Sequence, residues 1–131
     1  MANRDALQVA QAFFANIRDR DAAAVAELID DDANIWIIGQ FPFSGNRTKN
    51  DLVAAVEMLL SAMKGAPVID ILDTVCEDGR VSIRGRGNMT TVDGEPYCND
   101  YHIFMDTKDG KIVRYAEYFD TELVSKVLMK A

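Results

Sequence analysis

The stretch Asp109–Asp120, DGKIVRYAEYFD, holds the residue with the most chemical promise, Glu117. A carboxylate flanked by Ala116, Tyr118 and Phe119 is either turned to solvent or held inside a pocket. Strand periodicity puts Val113, Tyr115, Glu117 and Phe119 on one face. Two upstream segments offer partners. In Val81–Thr91 the residues Ser82, Arg84, Arg86 and Asn88 share a face. In Tyr97–Asp106 one face holds Tyr97, Asn99, Tyr101, Ile103 and Met105, and the other holds Cys98, Asp100, His102 and Phe104. The lone His102 is a candidate acid–base group. Cys76 and Cys98 fit no zinc spacing, no two histidines sit at ligand spacing, and no glycine-rich phosphate loop follows a strand. The expectation is therefore no metal, no nucleotide and no other cofactor.

These residues need elements to position them. Apolar residues Leu7, Ala10, Phe14 and Ile17 give residues 4–18 one buried helical face, with Asn3 as a cap. Asp21 caps a second short helix with Val25, Leu28 and Ile29 inward, and Asp30-Asp31-Asp32 closes it. Ala33–Ile38 is a strand. Gly39–Arg47, GQFPFSGNR, is a loop whose Phe41 and Phe43 either pack beneath it or form the lip of a cavity. Thr48 and Asp51 match a capping box. The helix they open carries Leu52, Val56, Leu59, Leu60 and Met63, and Gly65 and Pro67 stop it. The period then changes to two. Val68–Cys76, Val81–Thr91, Tyr97–Asp106 and Lys111–Phe119 read as strands joined by three Asp-Gly turns, an antiparallel meander. Asp120 caps a closing helix with Leu123, Val124, Val127 and Leu128 on one side. The order is ααβαββββα, an α+β layout in which a curved antiparallel sheet wraps on helices to make a cone with an inner cavity.

Size and charge narrow the function classes. The 131 residues form one domain, 1–131, with ordinary globular composition, 49% hydrophobic and 27% charged. Net charge is −7, and residues 19–32 hold six acids against Arg20. An acidic chain repels phosphate backbones, so nucleic acid is not an expected partner. No lysine-rich tract points to a membrane surface. The first residues, MANRDALQ, lack a signal-peptide run, and no apolar window is long enough to span a bilayer, so a cytoplasmic location is expected.

The layout, the GQFPFSG loop after a Trp-bearing strand, and DGKIVRYAEYFDT leading into a final helix resemble the nuclear transport factor 2-like superfamily. Within it the chain is most similar to the SnoaL-like and limonene-epoxide-hydrolase-like groups, over essentially its whole length. The resemblance to the epoxide-hydrolase group implies that Arg84, Asn99, Tyr101, Glu117 and Phe119 point inward. It gives a pocket with aromatic walls, Trp36, Tyr101 and Phe119, and few polar groups, Arg84, Arg86, Asn99 and Glu117. Arg84 is the expected counter-charge for a buried Glu117. Where that group holds its attacking water with a Tyr, an Asn and an Asp, this chain has Trp36, Ile38 and Glu117, and where it has an acid after the strand arginine, this chain has Arg86. A ketosteroid-isomerase-like pattern meets Phe13, Ile37 and Ile38 in place of its tyrosine and acid. The resemblance implies a homodimer through the convex sheet face, on which His102 falls. If the strand phase is inverted, His102 and Asp100 become the acid–base pair and Arg84 and Glu117 turn outward.

The expected function is a cofactor-independent isomerase, cyclase or hydrolase. Its substrate would be a small apolar molecule with a carbonyl or carboxylate. Glu117 would move a proton, Arg84 would set its charge state, and Arg86 or Asn99 would steady a substrate oxygen. The alternative is a ligand-binding or dimerisation module without chemistry.

Overall fold

The computed structural model describes residues 5–129. Helix α1 spans Ala6–Arg18 and α2 spans Ala22–Glu27. Asp5 caps α1 through a reciprocal capping box with Gln8. The cap expected at Asn3 lies outside the described residues. Asp21 caps α2 as its sequence position suggests, accepting from the Ala24 N–H at 3.0 Å.

Strand β1 begins earlier than expected and covers Ile29–Ile37. Asp30-Asp31-Asp32 therefore lies inside a strand and does not close a helix. Pairing with the last strand slips between Ile29 and Asn34, so the acids occupy an irregular stretch where Asp31 and Asp32 are exposed. Asp31 meets Lys49 at 2.9 Å there. The expected loop ends in a short strand, β2, Gly45–Arg47, paired antiparallel to β1.

Helix α3, Lys49–Ala62, starts at the Thr48–Asp51 capping box. Arg20 fixes its far end, donating to the carbonyls of Leu60 (2.6 Å), Met63 (3.3 Å) and Gly65 (2.9 Å). These are carbonyls at and just beyond the helix C-terminus, where a guanidinium is most useful. Strand β3, Met63–Glu77, starts directly after α3 and carries Pro67 on a sheet edge, where a missing N–H costs least.

The remaining strands are β4 (Arg80–Thr91), β5 (Pro96–Tyr97), β6 (Asp100–Lys108) and β7 (Lys111–Phe119), followed by α4 (Thr121–Val127). Asp78-Gly79 and Asp109-Gly110 take positive φ at both central positions, as two-residue hairpin turns require. The sheet runs β2-β1-β7-β6-β4-β3, with β5 on β4. Pairing is antiparallel except at β1 and β7, which run parallel. The sheet is curved and unclosed, and α1 and α3 pack into its hollow.

The core lies between helices and hollow. Val9, Phe13, Phe14 and Ile17 of α1 meet Val81 and Ile83 of β4, Ile103 and Met105 of β6, and Ile112 and Tyr115 of β7. This one-sided burial sets the phase of every strand, because alternate residues must point to opposite faces.

Candidate functional site

A cavity of about 130 Å³ lies between the sheet and the three longer layers of cover, α1, α3 and α4. Phe13, Phe14 and Ile17 supply the α1 wall, and Leu52, Val56 and Leu59 the α3 wall. Val124, Leu128 and Met129 close the side formed by α4 and the residues after it. The sheet contributes Tyr97, Tyr101, Ile103, Tyr115, Glu117 and Phe119. Phe43 lines the cavity from the β1–β2 loop, and Phe41 stacks on it at 5.1 Å between ring centroids. Ser44 pins that loop by donating to the Ile38 carbonyl and accepting from the Phe41 N–H. The two loop phenylalanines thus pack together, and Phe43 also forms cavity wall.

Among the described residues, Glu117 is the one ionisable acid or base on this wall apart from the tyrosine phenols. The residue is half-buried, and its remaining surface borders the cavity. Tyr115, on the same face two residues earlier, donates its hydroxyl to the Glu117 carboxyl. Burial pushes the carboxyl above its ordinary range, and the Tyr115 hydrogen bond partly offsets this. Burial likewise raises the phenols of Tyr97, Tyr101 and Tyr115, with the Glu117 charge adding to each shift. All three therefore keep their hydrogens as donors near neutral pH.

Asn99 is completely buried and organises the polar end of this wall. Its amide donates to the Tyr97 hydroxyl at 2.9 Å and to the Asp120 carbonyl at 3.1 Å, and its oxygen accepts from the Asp120 N–H at 2.9 Å. It thus ties Tyr97 to the residue that caps α4. The Tyr97 and Tyr101 hydroxyls interact with each other. Gly87 makes room for this arrangement, since a Cβ there would stand 3.3 Å from the Tyr101 ring and 3.5 Å from the Asn99 nitrogen.

The expected residues divide between two faces. Glu117, Tyr101 and Phe119 border the cavity, and Asn99 is buried behind it. Arg84, Arg86 and Trp36 do not join them. In β4 the inward positions are Val81, Ile83, Gly85, Gly87 and Met89, so both arginines point out. Arg84 pairs across the sheet with His102, and Gly85 with Tyr101. Directly opposed residues share a face, so Arg84 belongs with His102 and cannot meet Glu117. Arg84 binds Asp73 instead, at 2.6 and 2.9 Å, and Arg86 stands 3.8 Å from Asp100. Ile35 and Ile37 take the inward places of β1, leaving Trp36 outside against Tyr118 at 5.2 Å. His102 lies on this outer face, as the uninverted phase expects, with its Nε2 2.6 Å from the Ser82 hydroxyl.

The expected guanidinium partner of Glu117 is thus replaced by a phenol. Tyr115 and Tyr97 are the polar wall residues that strand parity places on these faces but to which the sequence reading gives no role. Tyr115 is legible from its spacing of two before Glu117. Among the described residues, no lysine, arginine or histidine borders the cavity, and no group of three or more His, Cys, Asp or Glu is placed to hold a metal. No helix among them is long and apolar enough to cross a membrane.

The SnoaL-like domain model matches residues 10–115, most of the chain and nearly all of the cavity-bearing sheet. The chain belongs to the SnoaL-like domain family. Solved structures of this family's fold superpose over almost the full length. IdmH of Streptomyces antibioticus, described as a proposed polyketide cyclase, aligns with a TM-score of 0.80 at 16% identity, over 97% of this chain and 100% of its own. A proposed isomerase from Rhodopseudomonas palustris aligns at 0.79 and 18% identity, over 99% and 100%. An NTF2-like protein from Burkholderia xenovorans LB400 aligns at 0.72 and 19% identity, over 97% and 98%. At such identities the likeness establishes the NTF2-like fold and leaves chemistry to the side chains. Among curated proteins, none matches this SnoaL-like chain at a significant level.

Proposed function

We propose that this SnoaL-like protein is an acid–base enzyme of the isomerase or cyclase kind, acting on a small, mostly apolar substrate in the cavity. The observation that carries the reading is a carboxyl in an apolar cavity, hydrogen-bonded by the Tyr115 hydroxyl, raised above its ordinary pKa, and sharing the wall with Tyr97 and Tyr101. A raised carboxyl is better matched to proton transfer near neutral pH than a solvated one.

The chemistry follows from the groups present. Glu117, as carboxylate, takes a proton from a carbon beside a substrate carbonyl. The C–H electron pair moves into the C–C bond and the carbonyl electrons move onto oxygen. A phenolic O–H from the Tyr97–Tyr101 pair donates to that oxygen as its charge grows. With a β,γ-unsaturated ketone Glu117 then returns the proton to the γ carbon of the dienolate, which shifts the double bond and isomerises the substrate. Alternatively the enolate carbon attacks a second carbonyl of the same molecule, which closes a ring, and Glu117 gives its proton to the new alkoxide. IdmH and the Rhodopseudomonas protein carry cyclase and isomerase descriptions, which fit either ending.

The test is hydrogen exchange at carbons beside the carbonyl of small ketones in deuterated water, followed by NMR. Exchange by the native protein and its loss in Glu117→Gln supports the reading. Equal exchange by both proteins contradicts it.

A second reading has its own observation. The Glu117 carboxyl already accepts the Tyr115 hydroxyl, and the rest of the cavity is almost wholly apolar, which suits a binding module without chemistry. Ligand binding with no exchange and no product would favour it. For either reading we propose a homodimer through the outer sheet face, where Trp36 and the 45%-exposed Tyr118 lie in tilted contact. Sedimentation of the native protein against Tyr118→Lys tests that contact.

A further inference from the structure

The cavity's charge and size define its ligand more narrowly than the reaction does. Glu117 is the charged group on the wall, and no cation borders it among the described residues. A bound carboxylate would lie against a second negative charge in an apolar surround, where repulsion is only weakly screened. Both arginines that could have welcomed an anion are committed to Asp73 and Asp100 on the opposite face.

Hydrogen counting fixes what the ligand must offer. Tyr115 spends its hydroxyl hydrogen on Glu117. Tyr97 accepts from Asn99, and one hydrogen is used between Tyr97 and Tyr101. Two phenols share that single contact, so one phenolic hydrogen is left to donate. A ligand filling this space satisfies it with an acceptor such as a carbonyl oxygen.

Volume sets the upper size. The cavity of about 130 Å³ is close to the roughly 150 Å³ apolar void that takes benzene. It is well below the roughly 300 Å³ at which drug-sized pockets begin. The walls that would have to move for a larger guest are the stacked Phe41 and Phe43, pinned through Ser44, and α4, clamped through Asn99 and Asp120.

We infer that the site selects an uncharged molecule of about one six-membered ring carrying a carbonyl-type acceptor, and excludes carboxylates. This rests on the proposed reading of the cavity as the ligand site, but not on any catalysis there.

The experiment compares three probes by calorimetry on the full chain near neutral pH: benzamide, its anionic counterpart benzoate, and the two-ring 2-naphthamide. Benzamide should bind at least tenfold more tightly than either of the others. Benzoate or 2-naphthamide binding as tightly as benzamide, or benzamide failing to bind, overturns the inference. In Glu117→Gln the preference for benzamide over benzoate should fall toward unity, and an unchanged preference overturns the charge argument. As a check that needs no variant, benzamide titrated into native protein should shift the Tyr101 ring and Glu117 carboxyl NMR signals. Shifts confined to the Trp36 face overturn the site. Benzamide binding with no carbon–hydrogen exchange in ketones would sink the catalytic reading while leaving this inference standing.

Discussion

Tyr115 donates its hydroxyl hydrogen to Glu117 from the same face of the same strand. The phenol is almost fully buried, at 1% exposure, so this carboxyl is its built-in partner. The pair lets an acid sit on an apolar wall without a cation. Its cost is a carboxyl that resists ionisation, because one neutral donor offsets only part of the lost hydration.

Tyr115→Phe should therefore raise the Glu117 carboxyl further, since the one hydrogen bond that holds it down is gone. Leaving the carboxyl without its donor should also destabilise the fold by about 1–3 kcal/mol. Urea unfolding measures the second effect, and the pH dependence of ketone hydrogen exchange measures the first, with its rising limb displaced to higher pH.

Glu117→Gln should change how stability depends on pH. The folded carboxyl titrates above its reference value of 4.5. Between 4.5 and the folded value, the native state holds a proton that the unfolded chain has released. The stability this group contributes is full below the unfolded value and is lost as pH rises through the folded one. Glutamine carries no such dependence and can still accept from Tyr115. The variant's melting temperature relative to native should climb as pH rises from 4.5 through the folded titration of Glu117. A relative melting temperature that is flat or falling across that range would oppose the assignment.

Asn99→Ala should loosen α4 and the polar wall together. The substitution leaves the Asp120 N–H, the Asp120 carbonyl and the Tyr97 hydroxyl without their partner. A loss of about 1–3 kcal/mol is expected. Amide hydrogen exchange should quicken most in residues 121–127. Uniform acceleration across the sheet instead would mean that Asn99 supports the core at large.

Arg84→Ala should leave ligand binding and any activity unchanged. The Arg84–Asp73 pair is solvent-exposed, with side chains 60% and 66% accessible, and exposed pairs contribute about 0–1 kcal/mol. A large loss of function in this variant would show that the outer face takes part after all.

Much of the fold was legible because its signals are local. The Asp-Gly turns, the Thr48 box and the Asp21 and Asp120 caps each act over a few residues, and they placed most helices and hairpins correctly. The parallel β1–β7 pairing was not legible, since it joins segments far apart in sequence. The site was half legible. Strand parity grouped Glu117 with Phe119 and Tyr101 with Asn99, and the family likeness turned both groups inward. Arg84 was assigned inward by likeness, although Val81, Ile83 and Met89 alternate with it and claim the core for themselves. Apolar alternation in β4 outweighs the attraction between a guanidinium and a carboxylate, because one phase buries a row of side chains and the other would bury two cations. Trp36 went outward for the same reason, displaced by Ile35 and Ile37.

The most direct test is a ¹³C NMR titration of the Glu117 side-chain carboxyl, assigned through Glu117→Gln. The account predicts a midpoint clearly above 4.5, moving higher still in Tyr115→Phe. A midpoint at or below 4.5 would mean a solvated carboxylate, and the acid–base reading would fall with it.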